Sequence, residues 1–335
     1  MSAQRSFRSV LGPTIQRYLD LKEALGRGYA VERRILEHLD AFLFGRGAGR
    51  ADLTPDNFAR WCRTYLHLVS GVRRNWMRIA RNLCLYRQRK EPQCFVPDKS
   101  QFPRNHQPSR PYILAEHEVA SLLKATATLE PTFGSPLRGE VFRLGVVLLY
   151  TAGLRRRELL RLKIGDYDPA ERTLLIRVSK FYKSRVVALS ADAAREIDAY
   201  LAIRRRRRHG TSGEAPLLVN WWGSTPSAGR AYSGEGFAHG LRQLLQYAKV
   251  RTPAGRTPRV HDFRHSFAVH ALVRWYRAGA DVQAKLPFLA AYMGHVSIAS
   301  TQHYLPFVES LGLSASERFA SHFAALVVPQ IGARS

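Results

Sequence analysis

The chain has 335 residues, 45% of them apolar, which is enough for two domains with sizeable cores. Lysine and arginine number 52 against 26 aspartates and glutamates, and the net charge of +26 runs along the whole chain, so a polyanionic partner, DNA foremost, is expected. No apolar run approaches the roughly 18–20 residues of a membrane span, and the first residues lack the apolar stretch of a signal peptide. Cys62, Cys84 and Cys94 form no CxxC pair, which argues against a disulfide framework or a cysteine-based zinc site and for a cytoplasmic protein with reduced thiols.

In chain order, residues 11–89 read as four short helices. Apolar residues recur at helical spacing from Leu11 to Leu25 and from Val31 to Phe44, and each run stops at glycines. Thr54 and Pro55 form an N-cap and N1 pair for a third helix reaching about Val69. A fourth runs from about Val72 to Gln88. On it Arg74, Arg78 and Arg81 stand at i, i+4 and i+7, a basic stripe suited either to tracking phosphates or to an ordinary solvated face. Prolines 92, 97, 103, 108 and 111 then mark an extended linker, because proline at that density cannot be helix interior. The expected division is a helical domain over 1–91, a linker over 92–111 and a second domain over 112–335.

The second domain reads as mainly helical with one small sheet. Helices are expected at 115–129, 137–152 and 155–162. The β-prone segments Thr173–Val178 and Arg185–Leu189 flank a turn containing Lys180, and helices resume at about 190–207, 235–249, 260–278 and 281–292. The arginine run 204–208 reads as a solvated helix end.

Four segments carry candidate chemistry. Arg155 opens a helix, where backbone N–H groups also face anions, and Glu158 lies on the same face, able to pin the guanidinium. Lys180 sits at a hairpin tip, a place usually just solvated. In His261-Asp262-Phe263-Arg264-His265 the first imidazole and the guanidinium share a helix face and together can grip a phosphate and move a proton. A rival reading of the same segment is zinc, held by His261 and His265 at i and i+4. Against it, Arg264 adds positive charge, Asp262 stands where glutamate is usual, and no further ligand is obviously spaced. Finally, Gly294-His295 precedes Tyr304.

Arg, Lys, His-x-x-Arg, Gly-His and Tyr in this order and with these gaps resemble the tyrosine recombinase (phage integrase) family along the whole chain. The resemblance to integrated-element and transposon recombinases is carried by Ser266 to Leu305. Ala152 and Met293 depart from common family residues without touching a catalytic position. The resemblance implies an N-terminal helical core-binding (SAM-like) domain and a C-terminal α+β catalytic domain. It implies Arg155, Lys180, His261, Arg264, His295 and Tyr304 as the catalytic set. Tyr304 is then the nucleophile, Lys180 the general acid for the leaving 5′-oxygen, and His261 the partner in proton transfer. No metal or other cofactor is expected, because two arginines supply the charge that a metal supplies in many nucleases. Double-stranded DNA is the implied partner, met by a homotetramer on paired sites, alone or together with other recombinases, in a bacterial cytoplasm, nucleoid-associated when bound. A helical tail section, Ala315 to Val327, would pack on a neighbouring subunit. A type IB topoisomerase, a non-catalytic DNA-binding regulator and a zinc hydrolase stand as alternatives.

Overall fold

The computed structural model describes residues 7–46, 50–104, 110–177, 184–207, 210–220 and 229–307. The chain divides into two compact units, Met1–Ser109 and Arg110–Ser335. Among the described residues no helix is long and apolar enough to cross a membrane.

In the first unit α1 (Gly12–Ala24), α2 (Ala30–Gly45), α3 (Pro55–Arg63) and α4 (Ser70–Arg87) enclose a core built on Ile15, Leu19, Leu36, Leu39 and Trp61. The expected cap is present: Thr54 Oγ1 accepts from Asn57 N at 3.2 Å, with Pro55 in the first turn. The third helix stops at Arg63, short of Val69. Tight turns follow it, and Tyr65 is buried there with ring centroids 4.9 Å from Trp61 and 4.8 Å from Trp76. The proline-rich stretch is partly committed to this unit, because Phe95, Val96 and Phe102 pack against its core.

The second unit contains α5 (Glu116–Ala125), α6 (Arg138–Thr151), α7 (Arg156–Leu159), β1 (Tyr167–Asp168), β2 (Thr173–Ile176), β3 (Arg185–Ala188) and α8 (Ala191–Arg206). After these come β4 (Val219–Asn220), β5 (Arg230–Ala231), α9 (Gly234–Tyr247), α10 (Val260–Arg277), α11 (Val282–Met293) and α12 (Ala299–Gln302). This is the expected mainly helical architecture with a small sheet, β1-β2-β3, antiparallel throughout with Leu174 opposite Val187 and Ile176 opposite Arg185. Alternation along β2 sends Leu174 and Ile176 into the core. Helix α6 is buried almost all round, Val141 to Leu149, and forms the centre of the unit.

Two expectations are corrected. The helix opening at Arg155 ends at Leu159, not residue 162, because Leu162 O and Ile164 N are taken by Leu217 N and Ala215 O, which pull the chain out of the helix. Arg204 is fully buried and not solvated. Its Nη1 donates to Pro216 O at 2.5 Å and Leu217 O at 3.0 Å, tying the end of α8 to the strand region.

Candidate active site

The site is assembled on the C-terminal end of α11. A helix leaves its last carbonyls without intrahelical donors and carries partial negative charge there. Gly294 ends α11 in the left-handed conformation, φ 65°, and His295 N closes back on Ala290 O at 2.8 Å. Three arginines from three other elements then donate to three successive carbonyls. Arg185 Nε, at the start of β3, reaches Tyr292 O at 2.8 Å. Arg264 Nη2, on α10, reaches Met293 O at 2.6 Å. Arg155 Nη2, at the entrance to α7, reaches Gly294 O at 2.8 Å. A Cβ at position 294 would lie 2.8 Å from Arg185 Nη1, so both the backbone angle and the close approach require glycine. The imidazole of His295 follows directly in the chain. Backbone geometry thus gathers two of the sequence-predicted arginines and the second predicted histidine around one helix end.

Glu158 bridges the Arg155 and Arg185 guanidinium groups and offsets their mutual repulsion. It accepts from Arg155 N at 3.0 Å, from Arg155 Nη1 at 2.7 Å, and from both Arg185 terminal nitrogens at 3.1 and 2.9 Å. Burial alone pushes its pKa up, but the Arg185 and Arg155 hydrogen bonds win and hold the carboxyl at about 2. Arg264, only 1% exposed, also donates from Nη1 to Gly153 O at 2.6 Å. Burial and the neighbouring Arg155 bring its pKa down to about 9, which still leaves it charged at neutral pH.

Tyr304, 3% exposed, follows α12, and its N–H returns to Thr301 O at 3.0 Å. Thr301 Oγ1 bonds His295 Nδ1 at 2.7 Å, which fixes the imidazole and leaves Nε2 as its other face. The Tyr304 and His295 rings stack with centroids 6.4 Å apart. Burial raises the phenol pKa, while Arg264 and Arg155 pull against it, placing both guanidinium groups in electrostatic reach of the hydroxyl. Burial, then Arg264 and Arg155, lower the His295 pKa to about 4. His261 lies on the first turn of α10, its ring centroid 4.5 Å from that of His265. Asp262 caps the same helix, accepting from Arg259 N at 2.7 Å and Arg259 Nη2 at 2.9 Å. Among the described residues no three His, Cys, Asp or Glu side chains gather closely enough to share a metal.

Beside this cluster, exposed Arg156, Arg242, Arg251, Arg256 and Arg259 line an open cavity of about 820 Å³ whose wall includes Arg155 and His261. Lys180 lies outside the described residues. The stripe on α4 belongs to the first unit. There Arg74 donates to Pro103 O at 2.7 Å and packs over Phe102, Arg78 is exposed and bonds Asn75, and Arg81 is half-buried. Sequence reasoning missed Arg185, which nothing distinguishes among so many arginines. It also missed Thr301 and the contact of His265 with Tyr304. The HxxxH spacing was the only signal for His265, and it pointed to a metal.

Residues 113–307 match the model of the phage integrase family. A putative integrase/recombinase y4rE of Sinorhizobium fredii (strain NBRC 101917 / NGR234) is 31% identical, over 96% of this chain and 99% of that protein. Tyrosine recombinase XerD of Mycobacterium tuberculosis is 35% identical over 59% of this chain and 58% of that protein. The structure of the Tn1549 transposon integrase with transposon right end DNA shares the fold, with a TM-score of 0.58 and 17% identity over 87% of this chain and 94% of that one. The two arginines, the Gly-His corner and the tyrosine therefore sit in a chain that belongs to the phage integrase family, the tyrosine-type site-specific recombinases.

Proposed function

We propose that Tyr304 is the nucleophile with which this recombinase cuts and rejoins double-stranded DNA. Its Oη attacks a backbone phosphorus, a 3′-phosphotyrosine forms and a 5′-hydroxyl leaves. The phosphodiester bond energy is kept in the adduct, so rejoining is the same step run backwards. Arg155 and Arg264 balance the charge that builds on the non-bridging oxygens, and His295 adds a hydrogen bond from its free ring edge. Lys180 protonates the leaving 5′-oxygen, and His261 assists proton transfer at the tyrosine. In this reading residues 1–91 form the core-binding domain, 92–111 the linker and 112–335 the catalytic domain. The working form is a homotetramer on paired sites, with a bacterial nucleoid as its setting. Arg78 is the member of the α4 stripe whose guanidinium is most available to phosphates.

The observation that carries this reading is the convergence of Arg155, Arg264 and His295 on the C-terminal end of α11 beside the Tyr304 ring. Relaxation of supercoils as the main activity, and binding without cleavage, find no support in the family assignment. The test uses a nicked suicide duplex spanning the boundary of the DNA element that carries the gene. Wild type is expected to form an adduct that survives denaturation, and Tyr304→Phe to bind the duplex and form none. An adduct with Tyr304→Phe would reassign the nucleophile.

A further inference from the structure

We propose that His265 is the base that takes the phenolic proton from Tyr304 as phosphorus is attacked. This rests on the reading of Tyr304 as nucleophile. His265 Nδ1 lies 3.0 Å from Tyr304 Oη, within ordinary hydrogen-bond reach, with ring centroids 5.5 Å apart and planes at 60°. No other side-chain partner of that hydroxyl occurs among the described residues. His295 spends its Nδ1 on Thr301, and His261 touches the ring of His265, not the phenol, so its assistance to proton transfer at the tyrosine runs through His265. His261 and His265 are one turn apart on the same face of α10, the first also lining the cavity rich in arginines and the second meeting the tyrosine.

The surroundings keep His265 ready to accept. Burial, and then His261 beside it, lower its pKa to about 4, with Asp262 opposing and Arg259 and His303 adding to the lowering. At neutral pH the ring is therefore uncharged. With its proton on Nε2, the Nδ1 lone pair faces the phenol. The acidity of Oη rises steeply as the Oη–P bond forms, so a modest base suffices. The step balances: Oη–P forms, P–O5′ breaks, the Oη proton moves to His265 Nδ1, and the leaving 5′-oxygen takes a proton from Lys180. On rejoining, His265 returns its proton to Oη. With the ring centroids only 4.5 Å apart, a charge on His265 disfavours a second charge on His261.

The full chain is assayed on the suicide duplex described above, at saturating DNA, as wild type, Tyr304→Phe, His265→Ala and His265→Asn. Asparagine keeps an acceptor near the Nδ1 position but has no basic group, so it separates proton transfer from positioning. Both His265 variants are expected to form adduct at least about 100-fold more slowly, the lower end of general-base effects, with DNA affinity unchanged. Added imidazole is expected to restore His265→Ala by about tenfold or more, and the rising limb of the pH–rate profile to disappear in both variants. A His265→Asn rate within about threefold of wild type would reduce the residue to a positioning group and overturn the proposal. So would a near-normal rate for His265→Ala. If His265→Ala melts early, the asparagine variant decides alone. An adduct with Tyr304→Phe sinks the nucleophile assignment itself, whereas an inactive Tyr304→Phe beside an active His265→Asn sinks only the role of His265.

Discussion

Glu158 caps the N–H of Arg155, pairs with its guanidinium and takes a two-pronged contact from Arg185, all from a side chain 6% exposed. Breaking such a buried network from one side leaves charges without a counterpart, which costs about 3–5 kcal/mol. Glu158→Gln keeps the shape but leaves the Arg155 and Arg185 guanidinium groups without their carboxylate. A thermal melt is expected to show a loss of roughly that size at pH 7, and adduct formation to fall with it. The pH dependence has a definite sign. The folded pKa is about 2 and the ordinary value 4.5, so the stabilisation is fully present above about pH 4.5 and is lost as pH falls toward 2. The glutamine variant, with nothing to titrate there, is expected to lose less stability than wild type between about pH 5 and 3. An equal loss in both would remove Glu158 from the centre of the network. The Arg155–Glu158 pair was legible in the sequence because i, i+3 spacing on a helix start fixes it. Arg185 was not legible: its partner is 27 positions away in sequence, and only the strand register brings it to Glu158.

At the scale of elements, the site depends on where α11 stops. Gly294 turns left-handed, and the three carbonyls ahead of and at the turn become acceptors for Arg185, Arg264 and Arg155. Gly279 ends α10 in nearly the same conformation, φ 69°, but a Cβ there meets nothing within 4 Å. The two positions separate backbone strain from crowding. Gly279→Ala is expected to cost about 1 kcal/mol in melting and leave adduct formation intact. Gly294→Ala pays the same strain, pushes Arg185 aside, and is expected to slow adduct formation by about 10-fold or more, as misplaced catalytic groups do. Equal cleavage by the two variants would show that the helix end does not hold the arginines. Long amphipathic helices and the β2–β3 pair were readable from apolar spacing. The short α12, with four residues, and the two-residue strands β4 and β5 carry too few periodic positions to be read, although α12 delivers Thr301 and Tyr304 to the site.

For the molecule as a whole, the charge of +26 is an attraction for polyanions of any sequence, and its local form matters more than its sum. The second unit concentrates exposed arginines around one cavity of about 820 Å³ that shares Arg155 and His261 with the candidate site. Two of them, Arg251 and Arg256, belong to a tight loop closed by Thr252 N to Arg256 O at 2.7 Å, where Arg251 Nη1 also reaches Gly255 O at 3.2 Å. Neither belongs to the network on the end of α11. If DNA flanking the reacting phosphate runs along this cavity, each contributes one phosphate contact, and each contact releases a counterion on binding. The logarithm of DNA affinity for wild type is therefore expected to fall steeply and linearly with the logarithm of salt. The double change Arg251→Ala and Arg256→Ala is expected to flatten that slope by about two, while cleavage at saturating DNA stays near wild type. Filter binding or fluorescence anisotropy between about 50 and 200 mM salt measures the slope directly. An unchanged slope with weakened cleavage would mean that these arginines serve the reaction and not the path of the DNA, and the cavity would then have to be read as part of the chemistry.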